Sequence, residues 1–250
     1  MVTSAITFVS CKKDDNGKTT PVETNSKYFK RLQQGTNPAD DTVFLVGYDA
    51  QKNVESVKDS ADGETWTANF DKEGNVVAVV NTYDGEDYTV RFTYNVNKQL
   101  IQAEDVSAAF TQRFTFEYAD GRVARKNAYT KYDGSNDFEL YRYYTYNLVG
   151  GNITSKKEYS PAGDLLKETK YTYTGDENGL KSLAYINNYY NYLGLDDVAD
   201  LESLFNKNLI ATRTEDGIKT DYVYTYNPDK QLTAFVVKNA DAVYTRFLGY

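Results

Sequence analysis

The stretch Tyr222–Leu232, Tyr-Val-Tyr-Thr-Tyr-Asn-Pro-Asp-Lys-Gln-Leu, constrains this chain more than any other. Tyr222, Tyr224 and Tyr226 are two residues apart, so a strand projects them from one face and Val223 and Thr225 from the other. A helix would scatter them. Asn227-Pro228-Asp229-Lys230 then fits a type I turn, in which Asn bonds its own backbone and Pro arrives with φ already fixed. The chain reverses into a second strand, Gln231 to Val237.

The same order of events recurs. Tyr48-Asp49-Ala50-Gln51-Lys52-Asn53-Val54, Phe70-Asp71-Lys72-Glu73-Gly74-Asn75-Val76 and Tyr94-Asn95-Val96-Asn97-Lys98-Gln99-Leu100 are close copies. Gly74 stands where a type I turn followed by a bulge needs positive φ, and Lys52, Lys98 and Lys230 stand at the same place with a steric penalty. Looser copies are Phe116–Val123, Tyr144–Ile153 and Tyr171–Asp176. Marked by its last aromatic, the unit falls at 48, 70, 94, 118, 146, 173 and 226, and the double-length final step holds a degenerate copy or an insertion. Asp62-Gly63, Asp84-Gly85, Asp133-Gly134 and Asp216-Gly217 lie between copies and read as short hairpin turns. One hairpin per repeat makes the chain all-β, an antiparallel meander of about fourteen strands. A flat sheet of that width would leave its aromatic face wet, so curling into an open barrel or half-barrel is expected.

The core must come largely from aromatics, since 24 Tyr and 12 Phe stand against one Trp and one Met. Trp66 shares parity with Ala68 and Phe70 and is expected in that core. Inside the double-length step, Val198, Leu201, Leu204 and Phe205 recur at spacings of three and four behind Asp196 and Asp197, which predicts one short inserted helix near 196–208 covering the sheet or plugging its end. Just before it, Tyr189, Tyr190 and Tyr192 sit among Asn residues, as a carbohydrate- or protein-contact surface requires, unless Tyr190 and Tyr192 complete another strand.

The chemistry is narrow. The chain has no His, which removes the usual general base and the commonest metal ligand, and its single Cys rules out an internal disulfide or a cysteine-cluster metal site. No catalytic, cofactor-binding or metal residues are assigned. A net charge of −8 opposes nucleic acid. The Asp-rich turns Asp84–Asp87, Asp133–Asp137 and Asp176–Gly179 lack the ligand spacing of a calcium loop. Among 36 Asp and Glu some carboxylate pair always exists, which keeps a carboxylate-dependent glycan hydrolase as an alternative. A lipid-facing barrel is disfavoured because Arg122, Arg125, Lys126, Lys156, Lys157, Glu158, Lys167, Glu168 and Lys170 fall on both strand parities.

Residues 1–11 are mostly apolar and end Val9-Ser10-Cys11, which looks like a bacterial lipobox with Cys11 as the lipidated residue. The segment resembles a signal-peptide remnant; ten residues before the Cys and no Lys or Arg make it shorter than a full leader, as a start placed too far downstream would explain. Residues 12–27 have almost nothing to bury and are expected to be a disordered tether. Residues 28–250 are then a single β domain.

The repeat resembles the tyrosine-aspartate (YD) repeat of Rhs proteins and teneurins over about residues 43–237. With the lipobox, and with Leu204–Ile210 before the final Tyr-x-Tyr unit, the chain is similar to uncharacterised Bacteroidetes surface lipoproteins with YD-like meanders. That resemblance implies an envelope protein anchored to the outer membrane by its N-terminal lipid and exposed at the surface. A non-enzymatic role, binding a glycan or an envelope protein or contributing structurally, is the expectation.

Overall fold

The computed structural model describes residues 28–35, 42–106, 111–132, 134–188, 192, 193, 195, 198–240 and 242–250. Its first eight strands are β1 (Arg31–Gln34), β2 (Val43–Tyr48), β3 (Val54–Asp59), β4 (Thr65–Phe70), β5 (Val76–Tyr83), β6 (Glu86–Tyr94), β7 (Leu100–Asp105) and β8 (Thr111–Ala119). The second eight are β9 (Arg122–Lys131), β10 (Glu139–Val149), β11 (Asn152–Tyr159), β12 (Leu165–Glu177), β13 (Asn208–Glu215), β14 (Ile218–Tyr226), β15 (Leu232–Lys238) and β16 (Val243–Gly249). Each pairs antiparallel with its sequence neighbours, and β1 also pairs with β16.

The meander is therefore as expected, but the barrel is closed rather than open. Closure rests on β1, a strand of four residues. Its Leu32 lies opposite Leu248 and Phe44, is fully buried, and supplies the inward side chain at the seam. Without β1, the facing edges of β2 and β16 would each present a row of unpaired backbone groups.

The repeat turns share one geometry. In the first, the Lys52 amide donates to the Asp49 carbonyl, the Asp49 amide donates to the Asn53 carbonyl, and the Asp49 carboxylate accepts from both the Asn53 amide and its side chain. Asp71 with Asn75 repeats these bonds; in Asn95 with Gln99 and Asn227 with Gln231 the Asn oxygen again accepts from the Gln amide, while the Asn carboxamide donates to the Gln side-chain oxygen. Those carboxylate bonds hold the exposed Asp71 acid below its ordinary value. The fourth position has positive φ in every case: 67° at Lys52, 82° at Gly74, 59° at Lys98 and 60° at Lys230. Three lysines thus carry a left-handed backbone that costs about 1–2 kcal/mol in a residue with a Cβ, against about 0.5–1 kcal/mol of added chain entropy for glycine. Lys230→Gly is expected to raise stability by about 0.5–1 kcal/mol, read as a higher urea midpoint at unchanged slope. Of the short turns, Asp84-Gly85 and Asp216-Gly217 have two successive positive φ values, as a type I′ hairpin needs; Asp62 does not, because its loop is longer, and Asp133 lies outside the described residues.

One residue beyond each repeat turn the ladder slips. The register shifts after Phe70↔Val76, Tyr94↔Leu100, Tyr118↔Val123 and Tyr226↔Leu232, leaving one extra residue on the return strand, a β-bulge. The tyrosine of the next repeat reaches this place: Tyr94 donates its hydroxyl to the Val76 carbonyl at 2.9 Å, Tyr118 to Leu100 at 2.8 Å, Tyr173 to Ile153 at 2.5 Å and Tyr250 to Leu232 at 2.8 Å. This explains why the motif uses tyrosine rather than phenylalanine. The ring fills the wall, and the hydroxyl satisfies a carbonyl at the bulge. Tyr118→Phe and Tyr173→Phe should each cost about 1 kcal/mol in urea unfolding, since the ring remains and only the bond is lost.

The long connection between β12 and β13 turns back into the barrel. It contains 3-10 turns at Lys181–Leu183 and Leu201–Phe205 and a single α turn, α1 (Ala184–Asn187). Among the described residues of the expected 196–208 stretch, a short helical turn spans Leu201–Phe205, with Asp200 as its cap, accepting from the Ser203 amide at 2.8 Å. The residues expected to cap, Asp196 and Asp197, lie outside the described residues. Glu202 and Ser203, polar residues of this turn, are buried along with Val198 and Leu201.

Leu183, Ile186, Leu193, Leu195, Val198 and Leu201 of this plug are at most 2% exposed and meet inward side chains of the wall, among them Phe44, Val57, Trp66, Val79, Phe92 and Phe114. Trp66 is core, as expected, with Phe44 at 5.9 Å and Tyr192 at 5.4 Å between ring centres.

Candidate functional site

The charges on β9–β13 sort by face. Outward, Arg125, Lys157, Glu168 and Lys170 meet solvent at least in part. Inward, Lys126, Lys156, Glu158, Lys167 and Glu215 form ion pairs inside the barrel. Lys126 Nζ contacts Glu202 of the plug, Lys156 Nζ lies 4.0 Å from the same carboxylate, and the Tyr146 hydroxyl donates to it at 3.2 Å. Arg142 pairs with Glu158, and Glu215 is held by Lys167 at 2.9 Å and Arg213 at 2.6 Å. Burial alone would push the Glu202 carboxyl up; Lys126 and Lys156 reverse this and hold it well below its ordinary 4.5. Glu215 behaves likewise, with burial overcome by bonds from Arg213, Lys167 and Thr169 that bring it down to about 2. These groups join wall to wall and wall to plug.

One concavity lies at the end of the barrel where the plug enters. It is a cleft of about 590 Å³ between the turns of β6–β11 and the plug. Its floor is Tyr94, Leu100, Tyr118 and Val123 from the wall, Leu148 from β10, and Tyr185, Leu204 and Phe205 from the plug. Phe205 packs edge-on against Phe116 and Tyr118, with ring centres 5.5 Å and 6.3 Å apart. The phenols are committed: Tyr94 and Tyr118 donate to wall carbonyls, and Tyr185 hydrogen-bonds Tyr94. Burial, with Tyr185 nearby, pushes the Tyr118 phenol up to about 12, so these rings are neutral at any working pH. Gln99 is committed as well, accepting from Asn95 and donating to the Gly121 carbonyl. The remaining polar side chains of the lining are Lys98, Arg122, Lys181 and Ser182, all exposed.

A second, more polar cleft of about 850 Å³ lies on the outer face of β7–β9 under Asn136–Phe138, where Arg113 stacks 3.6 Å from the Phe138 ring. Glu104 and Asp137 both line it. Glu104 Oε2 accepts from Arg113 at 2.7 Å and from Gln102 at 2.8 Å.

Of the residues singled out from sequence, Cys11, Tyr189 and Tyr190 lie outside the described residues, as do residues 1–27 as a whole. Tyr192 is half-buried within the barrel, its ring against Trp66. The end cleft escaped sequence reading because its lining comes from separate repeats and the insertion, 111 positions apart at the extremes, Tyr94 and Phe205. The only local signal was a lysine at the positive-φ place of a turn.

No family model matches the chain, and no curated protein matches it. Among solved structures, a porin-like protein from Bacteroides uniformis aligns with 88% of this chain and 95% of its own, at 15% identity and a TM-score of 0.54. A porin-like protein from Bacteroides vulgatus aligns with 89% of this chain and 98% of its own, at 10% identity and a TM-score of 0.58. These likenesses are of fold.

Proposed function

We propose that this chain is a non-enzymatic cell-envelope barrel that holds a ligand in the cleft between its plug and the β6–β11 turns. The cleft carries the reading: a concave, largely apolar space of about 590 Å³ with a few exposed polar groups at its rim has the size and character of a small-ligand seat. The ionisable groups inside the barrel are spent on cohesion. Attachment is through lipid on Cys11, with residues 12–27 as tether, and the outer membrane is the natural site; the porin-like relatives in fold come from bacteria with such an envelope. The barrel wall itself does not face lipid in this reading, because its interior is filled by an apolar core and paired charges while its outer face carries Lys58, Arg91, Glu117 and Lys170, unlike the uncharged band of a membrane-spanning barrel.

Organic extraction of the purified, folded protein followed by mass spectrometry should recover a stoichiometric small molecule, or a panel of small ligands should raise its melting temperature. If both come back blank, the binding role is wrong. Metabolic labelling with a fatty-acid analogue should depend on Cys11, and labelling that survives Cys11→Ala would remove the anchor from this account. The second reading, a carboxylate-dependent glycan hydrolase, is favoured only by Glu104 and Asp137 sharing the outer cleft, and Arg113 already grips Glu104. Glycan turnover abolished by Asp137→Asn would establish it.

A further inference from the structure

We infer that the occupant of the end cleft is a single-chain amphiphile with an anionic head, of which a fatty acid is the simplest member. The inference rests on the binding role proposed above and names its ligand class. A neutral sugar needs fixed acceptors and donors, above all carboxylates and carboxamides, beside an aromatic face. Here the lining contains no carboxylate, its one carboxamide is tied to Asn95 and Gly121, and the hydroxyls of Tyr94 and Tyr118 are spent on wall carbonyls. What the cleft offers is ring faces and aliphatic side chains, closed by Leu148, Leu204 and Phe205.

Its rim is cationic in a chain of net charge −8. Lys98, Arg122 and Lys181 come from a repeat turn, the start of β9 and the plug, three unrelated parts of the sequence. All three are exposed, and among the described residues none is in an ion pair, whereas the inward cations of β9–β13 are matched to carboxylates. An apolar trough under three unmatched positive charges complements an apolar chain ending in an acid. Exposed charges of this kind steer and orient an anion more than they hold it, so affinity should come mainly from chain burial and should fall with salt through the rim.

The test is isothermal titration of the folded protein with dodecanoate, dodecyl maltoside and dodecyltrimethylammonium, all below their micellar concentrations. Saturable one-to-one binding of dodecanoate is expected, weaker binding of the maltoside, and weakest binding of the cation. The triple variant Lys98→Gln, Arg122→Gln, Lys181→Gln should lose about tenfold in dodecanoate affinity and most of its salt dependence. A control with the same loss of charge elsewhere, Lys72→Gln, Lys219→Gln, Lys238→Gln, should bind as the parent does. Should the triple variant unfold, each single substitution still reads a two- to threefold loss. Equal affinity for the maltoside and dodecanoate, unchanged in the triple variant, would overturn the anionic head while leaving a ligand-holding barrel in place. Absence of binding by all three amphiphiles overturns the amphiphile itself, and the ligand recovered by extraction then decides separately whether the barrel binds anything.

Discussion

Glu202→Ala is expected to lower the stability of the barrel by about 3–5 kcal/mol, because it strands Lys126 in the interior without its counter-charge. Lys126 and Glu202 are both about nine-tenths buried, on opposite sides of the junction between wall and plug, and Lys156 shares the carboxylate. The aromatic faces of Phe114 at 5.3 Å and Tyr144 at 4.5 Å from Lys126 Nζ soften the loss but do not replace a carboxylate. Removing both partners together, as Glu202→Leu with Lys126→Met, should return most of the stability, since an apolar pair costs little in such a place. Urea midpoints of the two variants make the comparison. The pH dependence follows with a definite sign. The folded-state carboxyl lies below its ordinary 4.5, so its contribution is fully present above that value and is lost as pH falls toward the folded value. Stability should therefore decline below about pH 5, and Glu202→Gln should flatten that decline. An equal slope in parent and variant would show that other carboxylates, Glu215 first, carry it.

Leu183→Ala and Ile186→Ala should each cost about 2–5 kcal/mol. Both side chains are at most 1% exposed, at the point where the plug meets the aromatic wall. A barrel of sixteen strands has room for an aqueous channel unless something fills it. Here the plug does, so the three missing carbons of either side chain leave a cavity that rigid walls close only in part. Trp66 reports the outcome, since Tyr192 of the plug lies against it. A loosened plug should shift Trp66 emission before the strands unfold, giving two transitions in place of one. If both substitutions leave the urea midpoint unchanged, the plug is not part of the cooperative core.

The repeat was readable because its physics is local. Tyr222, Tyr224 and Tyr226 alternate over five residues, and Asn227 and Gln231 bond each other across four, so neither needs the rest of the chain. Even the discomfort of Lys98 and Lys230 at positive φ was visible from Gly74 in the matching place. What the motif concealed was the purpose of its hydroxyl. The partner of Tyr118 is the carbonyl of Leu100, one repeat back, and only the bulge brings the two together.

Residues 196–208 hold a short helical turn, Leu201–Phe205, where the spacings placed one. Spacings of three and four brought Leu201, Leu204 and Phe205 to notice, but did not disclose that Glu202 and Ser203 are buried while Leu204 and Phe205 stay half-exposed. Similarly, charges on both parities of β9–β13 were visible, but did not disclose that the inward ones pair with one another and with the plug.

By itself, then, the sequence determined strands, turns and a meander, since alternation and turn chemistry act within a handful of residues. The tertiary structure alone decided closure, the filled lumen and the cationic cleft. Closure depends on Leu32 meeting Leu248, and the cleft on Lys98, Arg122 and Lys181 converging from a turn, a strand and the plug. Contacts of that kind are set by the register carried around sixteen strands, a sum no single repeat contains.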